Sequence, residues 1–403
     1  MTVNSQPKRL IALDALRGFA LMGIALANYP EFSLWSFLSD AEQGAMPTAQ
    51  ADTWTRWLQL LLVDGKFYTI FSVLFGIGFS IIIANARRRG ADGMRIFYRR
   101  MTGLVLIGLL HLMLLWSGDI LLLYALMGLL LPLFYGRSDR VVLAWAGVML
   151  ALPVVCDAAI ALTGVDPSQL PYDAWWYWCG QFGITEANFA TWLRDAESYT
   201  GVGQFLIQGA FERMWEFVSS HRYFKVLGLF LIGLYIGRRG IHADPVRYRP
   251  LLRRVMWLGF GLSLPLSGVY TWSSMEGHPW GDVAHSAIYL LSVYPLGFAY
   301  MAAFVLLCQR WQRLALWQWL ACPGRMSLTT YLGQSVIGIV LFYGIGFGLG
   351  CSMGLWQTEV IALSVFIGQT LLARLWLRYF AYGPAEWVWR MVTYGKRMPL
   401  RKR

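Results

Sequence analysis

The residues best able to do chemistry in this chain stand inside apolar runs. His111 lies in GLVLIGLLHLMLLWSGDILLLYALMG, and Asp14 and Arg17 lie in LIALDALRGFALMGIALANY. An ionisable group in hydrocarbon costs roughly 2.5–3.5 kcal/mol on insertion scales, so those that persist usually face a bundle interior. Histidine suits proton transfer, because its ordinary pKa of about 6.5 lets it take and return a proton. Apolar surroundings favour its neutral form, and a neutral imidazole can act as a general base toward a hydroxyl or an amine. With its span counted from Met101, His111 is expected about 15 Å beyond the inner end, near mid-bilayer.

Asp119 stands directly before the apolar run ILLLY. That position suits a helix cap and is too distant along a straight helix to orient His111. A capping role and a catalytic role are both open. Asp14 and Arg17 are three apart, share a helix face and offset each other's desolvation. They read either as an internal ion pair or as a hold for an anionic substrate group. Asn28 extends that polar line or meets the outer interface. Asp64 and Lys66 flank Gly65 near the outer end of the second span and can pair only if Gly65 loosens the backbone. Lys66 either snorkels to the surface or neutralises a phosphate or carboxylate. Arg325 precedes MSLTTYLGQS, whose Ser327, Thr329, Thr330, Tyr331, Gln334 and Ser335 face a cavity or bond neighbouring helices. His221, Arg222 and Lys225 crowd the start of another span, and Asp157 is a candidate partner for this group across the bundle.

The elements that carry these residues follow from composition. The chain is 57% hydrophobic and 14% charged, against about 25% charged in a typical soluble domain. A span takes about 20 residues. Ten candidate spans follow, at roughly 10–30, 58–85, 101–117, 118–135, 140–163, 222–238, 252–270, 283–307, 326–348 and 356–380. The fold class is an all-α polytopic membrane bundle. Most Lys and Arg fall in alternate connections, including Lys8 and Arg9, which puts both termini inside a cytoplasmic membrane. This distribution, and not a basic face, accounts for the net charge of +12, so no nucleic-acid partner is expected. The first apolar run leads to no small-residue cleavage site and reads as a retained helix. The five Cys form no CxxC pair, so free thiols and no metal site are expected. Residues 1–140 form an N-terminal bundle, 141–250 a middle region and 251–403 a C-terminal bundle with a basic tail. Within the middle, 165–200 reads as a Trp-rich outer loop. The amphipathic stretch 202–220 is an interfacial helix, a cover for a cavity or an extended start to the next span.

The same residues carry a resemblance. RLIALDALRGFALMGIALANYPEF, GKFYTIFSVLFGIGF and RRMTGLVLIGLLHLMLLWSGDILLLYALMG resemble, in order, motifs of the YeiB-like family of bacterial inner-membrane proteins. PGRMSLTTYLGQSVIGIVLFYGIGFGLG and WLRYFAYGPAEWVWRMVTYGKRMPL resemble its second half. More distantly, that family is similar to membrane acyltransferases that use acyl-coenzyme A. In those relatives an LDxxRG-like opening and a membrane histidine belong to the reaction region, although His111 stands in a different local motif. The resemblance implies a coenzyme A-type donor entering from the Arg-rich face, with Arg87–Arg89, Arg99 and Arg100 near its phosphates. His111 would activate a lipid, glycan or small-molecule acceptor, and Lys66 or Arg17 would stabilise developing negative charge. Two other readings use the same residues: a proton-coupled transporter of an anionic or amphipathic solute, and a non-catalytic membrane partner. Neither the substrate nor the oligomeric state is legible.

Overall fold

A computed structural model describes residues 11–402, so Lys8, Arg9 and Arg403 lie outside the described residues. The first half of the chain runs α1 (Ile11–Phe32), α2 (Asp40–Ala45), α3 (Ala49–Leu62), α4 (Lys66–Arg88), α5 (Gly93–Leu114), α6 (Leu121–Gly128), α7 (Pro132–Tyr135), α8 (Asp139–Thr163), α9 (Gln169–Phe182) and α10 (Trp192–Asp195). The second half runs α11 (Tyr199–Ser219), α12 (Arg222–Arg239), α13 (Arg249–Leu258), α14 (Leu264–Met275), α15 (Gly281–Arg310), α16 (Ala315–Arg325), α17 (Ser327–Phe342), α18 (Leu355–Tyr379) and α19 (Pro384–Tyr394). The class is all-α, and the chain is a multi-pass membrane bundle.

Six helical stretches are long and apolar enough to cross a bilayer: α1, α3 joined to α4, α5, α8, α15 and α18. The other expected segments differ for local reasons. The segment expected at 118–135 is two short helices, with Pro132 opening the second. That at 252–270 is interrupted by a π-helical turn, Gly259–Ser263, before Pro265. Helix α17 stops at Phe342, and the glycine run after it forms turns, with Gly344 N–H bonded to the Leu193 carbonyl. Helix α12 begins only after His221, whose left-handed backbone (φ 51°) separates it from α11.

Helix α1 is central and packs on α4, α15, α16, α17 and α18. Its LDALRG motif meets α16 backbone to backbone. A Cβ on Gly18 would stand 1.9 Å from the Leu320 oxygen, and one on Gly324 would stand 1.8 Å from the Asp14 oxygen. Membrane helices gain little from hydrophobic burial against each other and associate through such close packing. The helices' alternating directions gather the Arg-rich connections, the start of α1 and the chain's C-terminal region at one basic end. The far end holds the α5–α6 turn and residues 164–221.

Candidate functional site

Asp92 caps α5 by accepting bonds from Met94 N and Arg95 N, each at 3.0 Å. The polar first turns GMRIFYRR are therefore helical, and the helix starts earlier than the sequence suggests. His111 lies about 27 Å along it, in its last turn. Within α5, His111 therefore stands toward the end opposite the Arg-rich start.

Beyond Leu114 the chain reverses and brings Asp119 back onto the histidine. Asp119 Oδ1 lies 2.8 Å from His111 Nδ1, while Oδ2 accepts the Leu122 N–H at 2.7 Å. Asp119 thus caps the start of α6 and holds the imidazole together. The other ring nitrogen, Nε2, lies 2.8 Å from Ser335 Oγ on α17. His111, Asp119 and Ser335 are each 1% exposed. With Asp119 ionised and the imidazole neutral, the carboxylate accepts from Nδ1–H, and Nε2 is left to accept from the serine hydroxyl.

Two neighbours fix this turn. Arg213 on α11 donates Nε–H to the Asp119 carbonyl at 2.9 Å and a terminal N–H to the Gly118 carbonyl. Gly108 lets α6 approach α5, since a Cβ there would stand 2.6 Å from Leu122 N. All of the stretch 202–220 but its last residue therefore lies within α11, which covers the site and ends before α12 begins.

A cavity of about 1650 Å³ runs beside this cluster. Arg88, Arg89, Arg390 and Lys396 line its basic end, Phe71, Phe75 and Tyr124 its middle, and Asp64, Arg213 and Arg222 its far part. Cations outnumber carboxylates along it. Asp14, Arg17, Asn28, Asp64 and Arg325 all line it. Arg17 Nη1 lies 3.1 Å from Asp14 Oδ1, as their spacing suggests. His111, Asp119 and Ser335 stand one layer behind the wall, whose nearest lining residues are Gly118, Ile120 and Tyr331. The Tyr331 ring centre is 5.2 Å from that of His111.

Lys66 does not snorkel to the surface. It is fully buried and turns from the cavity, donating to the Leu60 carbonyl at 2.6 Å with its ammonium 5.3 Å from the Tyr270 ring centre. The left-handed Gly65 (φ 75°) is the N-cap of the helix that Lys66 opens. Asp157 does reach across the bundle, to His221 Nε2 at 2.8 Å.

Sequence reasoning singled out neither Ser335 nor Glu386 as a functional residue. Ser335 was visible only as one of several polar residues in its helix. Glu386 caps α17 from another helix: Oε1 accepts Leu328 N at 2.6 Å, and Oε2 accepts the Thr329 hydroxyl at 2.6 Å. Burial raises its carboxyl above the ordinary value, and the bonds from Thr329 and Leu328 oppose that shift. Arg100 stacks on Trp389 with the guanidinium 3.5 Å from the ring centre.

Residues 236–396 match the family described as Protein of unknown function (DUF418). Uncharacterized bacterial proteins are similar to the chain over nearly its whole length. It is 29% identical over 404 residues to the uncharacterized protein YeiB of Escherichia coli (strain K12), covering 96% of each chain. It is 28% identical over 412 residues to the uncharacterized protein YxaH of Bacillus subtilis (strain 168), covering 98% of this chain and 97% of that one. An uncharacterized 39.9 kDa protein from the amylase 3' region of Bacillus acidopullulyticus is 28% identical over 393 residues, covering 98% of this chain and 96% of its own. With the long apolar helices, these relatives place the chain in the bacterial inner membrane as a multi-pass protein. The matched DUF418 stretch contains Ser335 and Glu386, whereas His111 and Asp119 precede it. The cluster is therefore assembled from both parts of the chain.

Proposed function

We propose that the protein is a membrane-embedded acyltransferase. It moves an acyl group from a coenzyme A-type donor to a hydroxyl or amine acceptor of the envelope. The observation that carries this reading is the Asp119–His111 pair, which leaves Nε2 directed at a hydroxyl one layer from a large cationic cavity. Asp119 holds the imidazole in one tautomer, as the acid does in a serine–histidine–aspartate relay. His111 then takes the acceptor's proton as the new acyl bond forms. Arg88, Arg89 and Arg390 suit the phosphates of a donor, and the aromatic middle of the cavity suits an acyl chain. The basic end is cytoplasmic in this reading, with both termini there and ten membrane segments.

The test is acyl transfer by the purified chain in nanodiscs, with a panel of acyl thioesters and envelope-lipid or glycan acceptors. Donor-dependent product is expected. His111→Ala is expected to lower its rate at least about 100-fold in protein that still folds, with a lower unfolding temperature because Asp119 and Ser335 lose a buried partner. Absence of product with every donor and acceptor would sink the reading.

One feature favours a second reading, a proton-coupled transporter: a single cavity is lined by residues from the basic Arg88 to the far Asp64. Solute uptake into proteoliposomes, driven by a proton gradient and leaving no covalent product, distinguishes it. In a third reading, a membrane partner, His111→Ala changes assembly without affecting any turnover.

A further inference from the structure

We propose that Ser335 carries the acyl group as a covalent ester between donor and acceptor. This inference rests on the acyl-transfer reading and adds a two-step route to it. Three observations support it.

The first is the linear relay: Ser335 Oγ to His111 Nε2 at 2.8 Å, then Nδ1 to Asp119 Oδ1 at 2.8 Å. Its order and distances are those that activate a serine nucleophile.

The second is how the hydroxyl is used. Helical serines and threonines commonly bond back to the carbonyl four residues earlier. Ser364, Thr370 and Thr393 do so here, at 2.7–2.8 Å. Ser335 instead directs its hydroxyl at a histidine 224 residues away in sequence.

The third is the polar group beside it. Gln334 is 1% exposed, and neither its Nε2 nor its Oε1 has a hydrogen-bond partner among the described residues. Buried amides are rarely left so, and each exception calls for an explanation such as a missing ligand. Gln334 adjoins Ser335 in sequence, and its uncommitted amide is the donor this route assigns to the developing oxyanion. Tyr331, one turn earlier on α17, lines the cavity. With Gly118 and Ile120 it forms the wall nearest the cluster, and its ring centre is 5.2 Å from that of His111.

The chemistry balances without an oxidant or reductant. Ser335 Oγ attacks the thioester carbonyl carbon, the C–Oγ bond forms and the C–S bond breaks. The Oγ proton passes to His111 Nε2 and then to the departing thiolate. In the second step an acceptor hydroxyl or amine attacks the ester carbon and gives its proton to Nε2. That proton returns to Ser335 Oγ as the C–Oγ bond breaks.

The test uses the full chain in nanodiscs with acetyl-coenzyme A and no acceptor. Acid-quenched protein is expected to gain the mass of one acetyl group, mapped to the peptide containing Ser335. Labelled coenzyme A is expected to exchange into acetyl-coenzyme A without acceptor. S335A is expected to lose the adduct, the exchange and at least 99% of transfer, while retaining the parent's thermal unfolding profile. S335C is expected to restore an adduct that neutral hydroxylamine releases, which covers the case in which S335A fails to fold. Donor-dependent transfer with no adduct and no exchange would overturn the serine ester and leave acyl transfer standing as a direct reaction. No transfer, adduct or exchange with any thioester would overturn both.

Discussion

Asp119 serves two groups at once, one carboxylate oxygen on His111 and the other on the Leu122 N–H in the first turn of α6. Its asparagine variant has one oxygen where two are needed. Asp119→Asn is therefore expected to reduce transfer at least about 100-fold and to shift unfolding only slightly, as scanning calorimetry in detergent would show. Arg213 is the opposite case, a side chain whose effect is on the turn. Arg213→Met leaves two carbonyls without their donor and is expected to cost about 1–3 kcal/mol. Chemical-denaturant unfolding measures that loss, and an unchanged midpoint would exclude this role. Glu386→Ala removes the cap supplied to α17 from outside and is expected to cost about 0.5–2 kcal/mol. These residues differed in legibility. The Asp14–Arg17 pair is local, three residues apart, and helical spacing alone predicts it. The Lys66 bond to the Leu60 carbonyl was not legible, because it depends on how the chain turns between α3 and α4.

At the level of elements, the site depends on how closely α6 lies on α5. Gly108 faces Leu122 N, whereas a Cβ on Gly147 in α8 would meet nothing within 4 Å. Gly108→Ala is expected to cost about 1–3 kcal/mol through overpacking and to loosen the Asp119–His111 pair. Gly147→Ala is expected to be neutral or to stabilise by up to about 1 kcal/mol. Equal melting shifts for the two would contradict this account. The start of α5 depends on a local contact too. Hydropathy starts the span near Met101, but Asp92 caps a helix that begins at Gly93 and includes its charged first turns. A cap fixes a helix start, whereas hydropathy locates only its apolar part.

For the whole molecule, the cavity joins the basic end to the level of the cluster. Single cysteines at positions 28 and 64, in a background lacking the five native cysteines, are expected to react with a membrane-impermeant thiol reagent in purified protein. Saturating thioester donor should slow labelling at Asn28→Cys, and labelling unaffected by donor would place the donor elsewhere. The sequence by itself determined that the chain is a helical membrane protein, because apolar runs and charge asymmetry are local properties a bilayer selects. It also determined which residues share a helix face, since 3.6 residues per turn is an intrinsic period. Only the tertiary structure decided which faces meet. The reversal after Leu114 puts Asp119 on His111, and the packing of α17 on its neighbours brings Ser335 to the other nitrogen. Those contacts depend on small residues that allow close approach, on a cap and on an arginine reaching from α11. None of these leaves a periodic trace in the sequence.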